Sequence, residues 1–246
     1  MRIVAIIQAR TGSSRLPRKV LLDLAGEVML TRVVNRARRA QALDEVVVAT
    51  TVQPADKSIV HLCAERGWLF FRGSKEDVLD RYHHAAVTHQ ADIVVRITSD
   101  CPLIEPEIVD RVVHEFLDRQ PEVDYACNML PRRTFPQGLD TEVMRFDVLE
   151  RAWREDRNPA WREHVTPYIQ CHPDLFHTHG IMNEVDYSHM RWTVDAPEDL
   201  AFVRRVYEHF CHDRFSWREV LAVLDEHPEW LEINRHVRQK DIKYGI

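Results

Sequence analysis

Residues 3–19, near the amino terminus, read IVAIIQARTGSSRLPRK, and this segment is the most informative about the fold. Its five leading apolar residues, 3–7, predict a buried β-strand. The segment that follows contains one glycine, several hydroxyl side chains and four cationic ones. Backbone amides and cationic side chains are the groups that bind phosphates, so we interpret residues 8–19 as an anion-binding loop at a strand end. An ordinary exposed turn with solvated arginines is the competing interpretation of this loop taken alone.

Strand-like and helix-like stretches alternate through the first half of the chain, which is typical of a parallel sheet built from βαβ units. Ser74, followed by Asp77 three residues later, predicts a capping box at the start of one of these helices. The expected strands are 3–7, 45–52, 68–71 and 91–98, and the expected helices are 28–40, 55–66, 75–89 and 106–117. We therefore predict an α/β protein.

The second half of the chain is less regular. The sequence predicts strands at 123–128 and 190–194, an irregular segment at 129–140, and helices at 147–155, from Pro197 to about Phe210, and at 216–225. We expect a single domain over residues 1–246, in which residues 129–190 form a small lobe for acceptor binding and dimerisation.

Composition restricts the class of protein. The chain has 246 residues, 45% of them hydrophobic, which is enough to bury a sizeable core. A net charge of −6 argues against general nucleic-acid binding, and no apolar stretch is long enough to span a membrane. The five cysteines and fourteen histidines lack the spacing of a zinc site or a disulfide framework. We expect a cytoplasmic protein.

Two aspartates stand at the ends of predicted strands. Asp100 follows strand 91–98 and Asp195 follows strand 190–194. Taken singly, Asp100 is also typical of a turn before Pro102, and Asp195 of a helix N-cap. In open parallel sheets ligands bind beyond the carboxyl ends of the strands, so Asp100 should face the cationic loop. Two carboxylates and a cationic loop are the parts of a magnesium-dependent phosphoryl site.

The two common nucleotide-binding motifs are missing from the sequence. A dinucleotide fingerprint needs Gly-x-Gly-x-x-Gly after the first strand, but the loop has a single glycine, Gly12. The P-loop pattern Gly-x-x-x-x-Gly-Lys-Ser/Thr does not occur either. The loop would therefore hold phosphates with charged side chains as well as with its backbone.

The motifs resemble those of the CMP-sugar synthetases, a cytidylyltransferase superfamily. Residues 8–10 and 14–19 are similar to its opening motif, and residues 99–102 and 194–200 are similar to later motifs in the same order. The resemblance covers most of the chain. It is strongest to the branch called spore-coat polysaccharide biosynthesis protein F, through residues 12–17, 71–74, 138–142 and 162–167.

This resemblance implies a Rossmann-like, GT-A-like nucleotidyltransferase fold with three α/β/α layers and a mostly parallel sheet. It implies an enzyme that transfers CMP from CTP to an acidic sugar, releases pyrophosphate, and works with Mg²⁺ on Asp100 and Asp195. The irregular region 129–190 separately indicates a homodimer. The implied catalytic residues are Arg10, Lys19, Asp100 and Asp195. The implied nucleotide-binding residues are Gln8, Ala9, Arg10, Thr11, Gly12, Ser13, Ser14, Arg15, Lys19, Thr50, Ser74, Asp77 and Ser99, and the candidate acceptor-binding residues are Arg132, Gln137, Asp140, Glu142 and His164. The adjacent Arg133 could also bind an acceptor carboxylate or phosphate.

The resemblance has two departures, and two other classes of protein stay open. The turn at 98–102 differs from that of family members acting on octulosonate, and Arg18 stands where many relatives have glycine. A nucleotide-sugar glycosyltransferase is one alternative, although such enzymes usually carry an Asp-x-Asp motif that this sequence lacks. A non-catalytic nucleotide-binding relative is the other. Pyrophosphate release separates the enzyme from the binding protein.

Overall fold

A seven-stranded sheet forms the centre of the molecule, and the computed structural model describes residues 1–239. The strand order is β3-β2-β1-β4-β6-β5-β7, and all neighbouring pairs are parallel except those of β6, which runs antiparallel to both β4 and β5. The strands are β1 (Ile3–Gln8), β2 (Glu45–Thr51), β3 (Leu69–Gly73), β4 (Ile93–Thr98), β5 (Tyr125–Cys127), β6 (Glu142–Arg145) and β7 (Thr178–Gly180).

Helices cover both faces of the sheet. Buried residues of α1, α2, α4, α8 and α9 form one apolar cluster with the sheet, and those of α3, α5 and α7 form the other. This arrangement confirms the predicted mostly parallel α/β fold. The helices are α1 (Met29–Ala37), α2 (Lys57–Arg66), α3 (Val78–Thr88), α4 (Pro106–Leu117), α5 (Phe146–Glu155), α6 (Pro159–His164), α7 (Pro167–Gln170), α8 (Pro197–Phe210) and α9 (Trp217–Glu226).

The β1 strand shows why an uninterrupted apolar run was required. Ala5 and Ile7 pack into one cluster, while Val4 and Ile6 pack into the other, and all four side chains are fully buried. A strand with helices on both faces has no side open to water, so it cannot alternate between apolar and polar residues. Burying an isoleucine in this way contributes about 1.5–3 kcal/mol.

The start of α3 differs from the prediction. The helix begins at Val78 rather than at residue 75, and its N-cap is Asp77, whose Oδ1 accepts a hydrogen bond of 2.8 Å from the Asp80 amide. The predicted cap, Ser74, instead accepts a hydrogen bond of 3.0 Å from the Asp77 amide. The prediction was wrong because the carboxylate of Asp77, three residues later, takes the capping role and leaves Ser74 to close the turn before it.

The predicted strand 190–194 was also wrong. This segment makes an isolated bridge between Arg191 and Gln137, because its neighbours are loop residues rather than another strand. Conversely, β6 and β7 were not predicted from the sequence, because they are only four and three residues long. Both lie within residues 129–190 and belong to the main sheet.

The adjacent ends of β1 and β4 determine where a site can form. Gln8 pairs with Thr98 in parallel register, so the loop after β1 and the turn containing Asp100 leave the sheet at the same edge. Within residues 1–239, no helix is both long and apolar enough to cross a membrane.

Candidate functional site

A cavity of about 910 Å³ opens at this edge of the sheet. Its volume lies within the range of small-molecule sites, but its lining is unusually charged for such a site. The charged lining residues are six cations and five carboxylates: Arg10, Arg15, Lys19, Arg81, Arg96, Arg133, Asp100, Asp140, Glu142, Glu163 and Asp195.

The loop between β1 and Lys19 is anchored through Thr11. The amide and the hydroxyl of Thr11 both donate hydrogen bonds of 2.7 Å to Oδ1 of Asp56, and the Thr51 hydroxyl donates to the other oxygen of that carboxylate. Thr11 is buried and does not line the cavity. Its contact with Asp56 fixes the start of the loop, which lets the following residues face the cavity.

Two residues of the loop have distinct backbone properties. A Cβ added at Gly12 would meet nothing within 4 Å, so this part of the cavity wall is open to a ligand. Arg18 has φ of 57°, in the left-handed region that glycine adopts without steric cost. Arg18 directly precedes a short 3₁₀ helix that runs from Lys19 to Leu21.

The two predicted aspartates converge on the Lys19 ammonium. Lys19 Nζ lies 3.1 Å from Asp100 Oδ2 and 2.8 Å from Asp195 Oδ1, and it also donates to the carbonyl oxygen of Val194 at 2.8 Å. Burial opposes the charge on Lys19, but the two carboxylates outweigh it and raise the pKa of the ammonium. Burial likewise opposes ionisation of Asp100, and the Lys19 charge nevertheless holds the pKa of that carboxyl below its ordinary value. Lys19 and Asp100 are therefore both charged near neutral pH.

Backbone contacts bring the two aspartates together across 95 residues of sequence. The Val194 amide donates a hydrogen bond of 2.8 Å to the carbonyl oxygen of Asp100. Gly138 packs against the same segment with φ of +114°, and a Cβ there would lie 2.6 Å from the Thr193 nitrogen. Only glycine combines this backbone with so close an approach.

Asp195 has further cationic neighbours. Arg15 Nη2 lies 2.9 Å from its Oδ2, and Arg191 Nη2 lies 3.0 Å from the same oxygen. The N-cap interpretation of Asp195 was wrong, because Ala196 occupies the cap position of α8 and Asp199 Oδ2 accepts from the Ala196 amide at 3.0 Å. The carboxylate of Asp195 therefore faces the cations of the cavity.

A second group of ion pairs lines the rest of the cavity. Both oxygens of Asp140 accept hydrogen bonds from the Arg133 guanidinium, and Glu142 pairs with Arg96. Burial and the neighbouring Arg96 charge lower the pKa of His164, so this imidazole is neutral at pH 7. Arg96 also donates to the side-chain oxygen of Gln8 at 3.3 Å, which links this group to the β1 loop.

Fifteen predicted residues line the cavity, and five do not. Those outside are Thr11, Thr50, Ser74, Asp77 and Arg132. Thr50 is fully buried in β2, and both oxygens of Asp77 are engaged, Oδ1 in the α3 cap and Oδ2 with Arg162 Nε at 2.7 Å. Arg132 is exposed and faces Asp186 at 3.7 Å. The lining residues are Gln8, Ala9, Arg10, Gly12, Ser13, Ser14, Arg15, Lys19, Ser99, Asp100, Gln137, Asp140, Glu142, His164 and Asp195.

Two cations of the lining, the part-buried Arg96 and the buried Arg81, were missed by sequence reasoning. Arg96 lies in the middle of the apolar run of β4, and a charge within a buried strand was the signal that could have identified it. Arg81 is 1% exposed and donates to the Ser74 carbonyl oxygen at 2.7 Å. In α3, the corresponding signal was that Arg81 follows the apolar Val78 by three residues, a spacing that places both side chains on the same face of a helix.

The sheet and the charged cavity at its edge define an α/β nucleotidyltransferase. A sequence model of the cytidylyltransferase family matches residues 4–220, and the chain belongs to this family. Both findings confirm the predicted class of enzyme and the resemblance on which the prediction rested.

Individual relatives agree with this assignment. The spore coat polysaccharide biosynthesis protein SpsF of Bacillus subtilis is 30% identical over 92% of this chain and 95% of its own length. A 3-deoxy-manno-octulosonate cytidylyltransferase of Koribacter versatilis is 36% identical over 50% of this chain and 46% of its own. The structure of a cytidylyltransferase from Leptospira borgpetersenii has a TM-score of 0.90 and 32% identity, covering 98% of this chain and 100% of that one.

Proposed function

We propose that this enzyme transfers CMP from CTP to an acidic sugar or a related acidic acceptor and releases pyrophosphate. The observation that carries the proposal is the pairing of Lys19 with Asp100 and Asp195 at the end of the cationic loop. It provides cations for a triphosphate and carboxylates for a divalent ion at one place.

Lys19 and Arg15 would change partners when CTP binds. Both cations are paired with Asp195 in this structure, and phosphate oxygens are competing acceptors with higher charge. Moving Lys19 onto the phosphates would free Asp100 and the Oδ1 of Asp195, while Arg191 stays on Oδ2 of Asp195. The acceptor oxygen then attacks the α-phosphorus as the bond to pyrophosphate breaks, and Arg10, Arg15 and Lys19 would stabilise the charge on the phosphoryl oxygens and the departing pyrophosphate.

The two aspartates fit a magnesium ion. Carboxylate oxygens are its preferred protein ligands, and one or two suffice when phosphate oxygens complete the coordination. Asp100 and Asp195 already converge on one cation, the Lys19 ammonium. No cluster of three or more histidine, cysteine or acidic side chains is found among residues 1–239, so the nucleotide would have to complete the site. The ion would supply charge neutralisation and acidify the acceptor hydroxyl.

The second group of ion pairs supports an acidic, hydroxyl-rich acceptor. Arg133 and Arg96 offer guanidinium groups to a carboxylate, while Asp140, Glu142 and Gln137 offer oxygens to sugar hydroxyls. The octulosonate cytidylyltransferase among the relatives bears the name of an acidic sugar, and SpsF is named for polysaccharide biosynthesis. We propose that the product enters surface polysaccharide or glycoconjugate synthesis. The homodimer, the role of residues 129–190 in it and the cytoplasmic location stay predictions.

Pyrophosphate release tests the proposal directly. The purified chain is incubated with Mg²⁺, each of the four nucleoside triphosphates, and a panel of acidic sugars with their neutral counterparts. We expect release with CTP and an acidic acceptor, and none when the acceptor carboxylate is replaced by an amide. Equal turnover with neutral sugars would reject the acidic acceptor. Release that persists undiminished in excess chelator would reject the magnesium site.

A further inference from the structure

The carboxyl-terminal part of the described chain lies next to the residues that contact Asp195. The family match ends at residue 220, yet the chain continues through α9 and a turn at Pro228–Glu232 and returns to the cavity, where Gln239 is a lining residue. Asn234, which lies between the turn and Gln239, is 3% exposed. A buried polar side chain must have hydrogen-bond partners, so its contacts indicate what this segment does.

Asn234 donates a hydrogen bond to Asp199, and the same Asp199 carboxylate also accepts one from the backbone of Asp195. Asp199 is fully buried, and its Oδ2 accepts hydrogen bonds from the Asp195 amide at 2.9 Å and from Arg191 Nη2 at 3.1 Å. Its Oδ1 accepts from Arg191 Nε at 2.8 Å and from Asn234 Nδ2 at 3.0 Å. Because Asp199 binds both the backbone of Asp195 and the guanidinium of Arg191, its position determines where Asp195 lies.

Arg191 carries the constraint to the Asp195 carboxylate. It is 8% exposed, and Nη2 donates to Asp195 Oδ2 at 3.0 Å. The carboxyl-terminal segment holds Arg191 at two points. Asn234 Nδ2 donates to its carbonyl oxygen at 2.8 Å, and Gln239 Oε1 accepts from its Nη1 at 2.8 Å. The segment thus binds both the main chain and the side chain of the residue that orients Asp195.

We propose that Asn234 is a positioning residue for nucleotidyl transfer, which holds Asp195 in place through Asp199 and Arg191. The inference rests on the proposed role of Asp195 in binding magnesium. Residues that orient a metal ligand without binding the metal themselves typically affect metal affinity or activity by about 10- to 100-fold. An Asn234 that only attached the carboxyl-terminal segment would change thermal stability and leave the magnesium dependence of nucleotide binding as it was.

The test uses the full-length chain and the variants Asn234→Ala and Asn234→Asp. CTP affinity is measured by calorimetry across a series of Mg²⁺ concentrations, together with the unfolding temperature. We expect the Mg²⁺ concentration for half-maximal effect to rise about 10-fold in N234A. We expect a larger rise in N234D, because its carboxylate would face that of Asp199. CTP affinity without Mg²⁺ should stay unchanged in N234A.

Arg235→Ala is the matched control. Arg235 is the next residue, and its side chain pairs with Glu232 at 2.8 Å on the surface. We expect the wild-type Mg²⁺ response in R235A. A folded N234A with that same response, or an equal shift in R235A, would overturn the inference.

Two further outcomes are informative. Where N234A fails to fold, Gln239→Ala takes its place with a smaller shift in the same direction, and a wild-type response in Q239A would overturn the inference. If Mg²⁺ does not affect CTP binding by the wild-type chain, the magnesium part of the proposed function fails and the inference fails with it. A wild-type Mg²⁺ effect that N234A retains removes the inference alone.

Discussion

Two groups of ion pairs share the cavity and differ in how their charges are arranged. In the first, which we call the loop group, Lys19, Arg15 and Arg191 all pair with Asp195, and Lys19 also pairs with Asp100. In the second, which we call the acceptor group, each cation has its own carboxylate: Arg96 pairs with Glu142, and Arg133 with Asp140.

The two groups differ in which charges can change partners. Asp195, which is shared among three cations, can release one of them to a ligand and stay paired with the others. Asp100 is paired with Lys19 alone among the described residues, so the proposed magnesium ion would have to replace that ammonium. A buried carboxylate that loses its single partner without a replacement is left uncompensated, which costs several kcal/mol. We therefore expect the loop group to exchange partners during the reaction and the acceptor group to keep its pairs as a fixed template.

The largest expected effect concerns the carboxylates. Asp100→Asn should lower kcat by roughly 10²- to 10³-fold, because it removes preorganised charge at the phosphoryl group. Asp140→Asn, its counterpart in the acceptor group, should act mainly on the acceptor KM. Steady-state kinetics with both substrates varied makes this comparison, provided that circular dichroism shows both variants folded. A D100N enzyme with near-normal kcat would remove Asp100 from the proposed mechanism.

An intermediate effect is expected on stability. Lys19→Met leaves Asp100 and Asp195 without their shared ammonium and should lower the free energy of unfolding by about 1–3 kcal/mol at pH 7, between the values for an exposed and a buried pair, because these contacts are part-buried. In the wild-type protein the pKa of Asp100 lies below its ordinary value of 3.8, so its ionised form stabilises the fold above that pH and the contribution is lost on acidification.

The loss of Lys19 reverses this shift, and the reversal can be measured. In K19M the pKa of Asp100 should rise, so its protonation should relieve the penalty and the difference from wild type should shrink as the pH falls towards 4. Urea unfolding at several pH values measures this. Arg10→Met is the comparison, because Arg10 and Glu163 form an exposed pair whose loss should change stability very little. A K19M penalty independent of pH would contradict the electrostatic explanation.

The smallest effect separates two neighbouring arginines. Arg133 lines the cavity and binds Asp140, whereas Arg132 is exposed beside Asp186. Arg133→Ala should raise the acceptor KM roughly 10-fold, the cost of about one charged hydrogen bond, and leave the CTP KM unchanged. Arg132→Ala should leave both constants unchanged. Equal effects of the two variants would mean that the cavity does not mark the acceptor site.

How much of the site could be predicted differs between the two groups. The loop of residues 8–19 is continuous in sequence, and its charges and hydroxyls were visible in the order in which they act. Arg96 pairs with Glu142, which lies 46 residues further along the chain. This pairing depends on β6 lying against β4, and β6 is too short and too polar to be recognised from periodicity. Arg133 and Asp140 are seven residues apart, but both lie in an irregular segment, where no periodicity indicates which side chains face each other. Arg132 was predicted as an acceptor residue because nothing in the sequence shows which of two adjacent arginines turns inward.

The α/β class, the apolar β1 strand, the cationic loop and the family could all be predicted from the sequence. These properties follow from local composition and from the spacing of side chains along one element. The approach of Asp195 to Asp100 depends on the tertiary structure, because it needs the hydrogen bond from the Val194 amide to the Asp100 carbonyl oxygen and the close packing of Gly138. The contact between Asp199 and Asn234, which lies beyond the matched region, depends on the tertiary structure in the same way. Such contacts depend on how segments far apart in the sequence pack together, and no local sequence pattern specifies which of those segments come into contact.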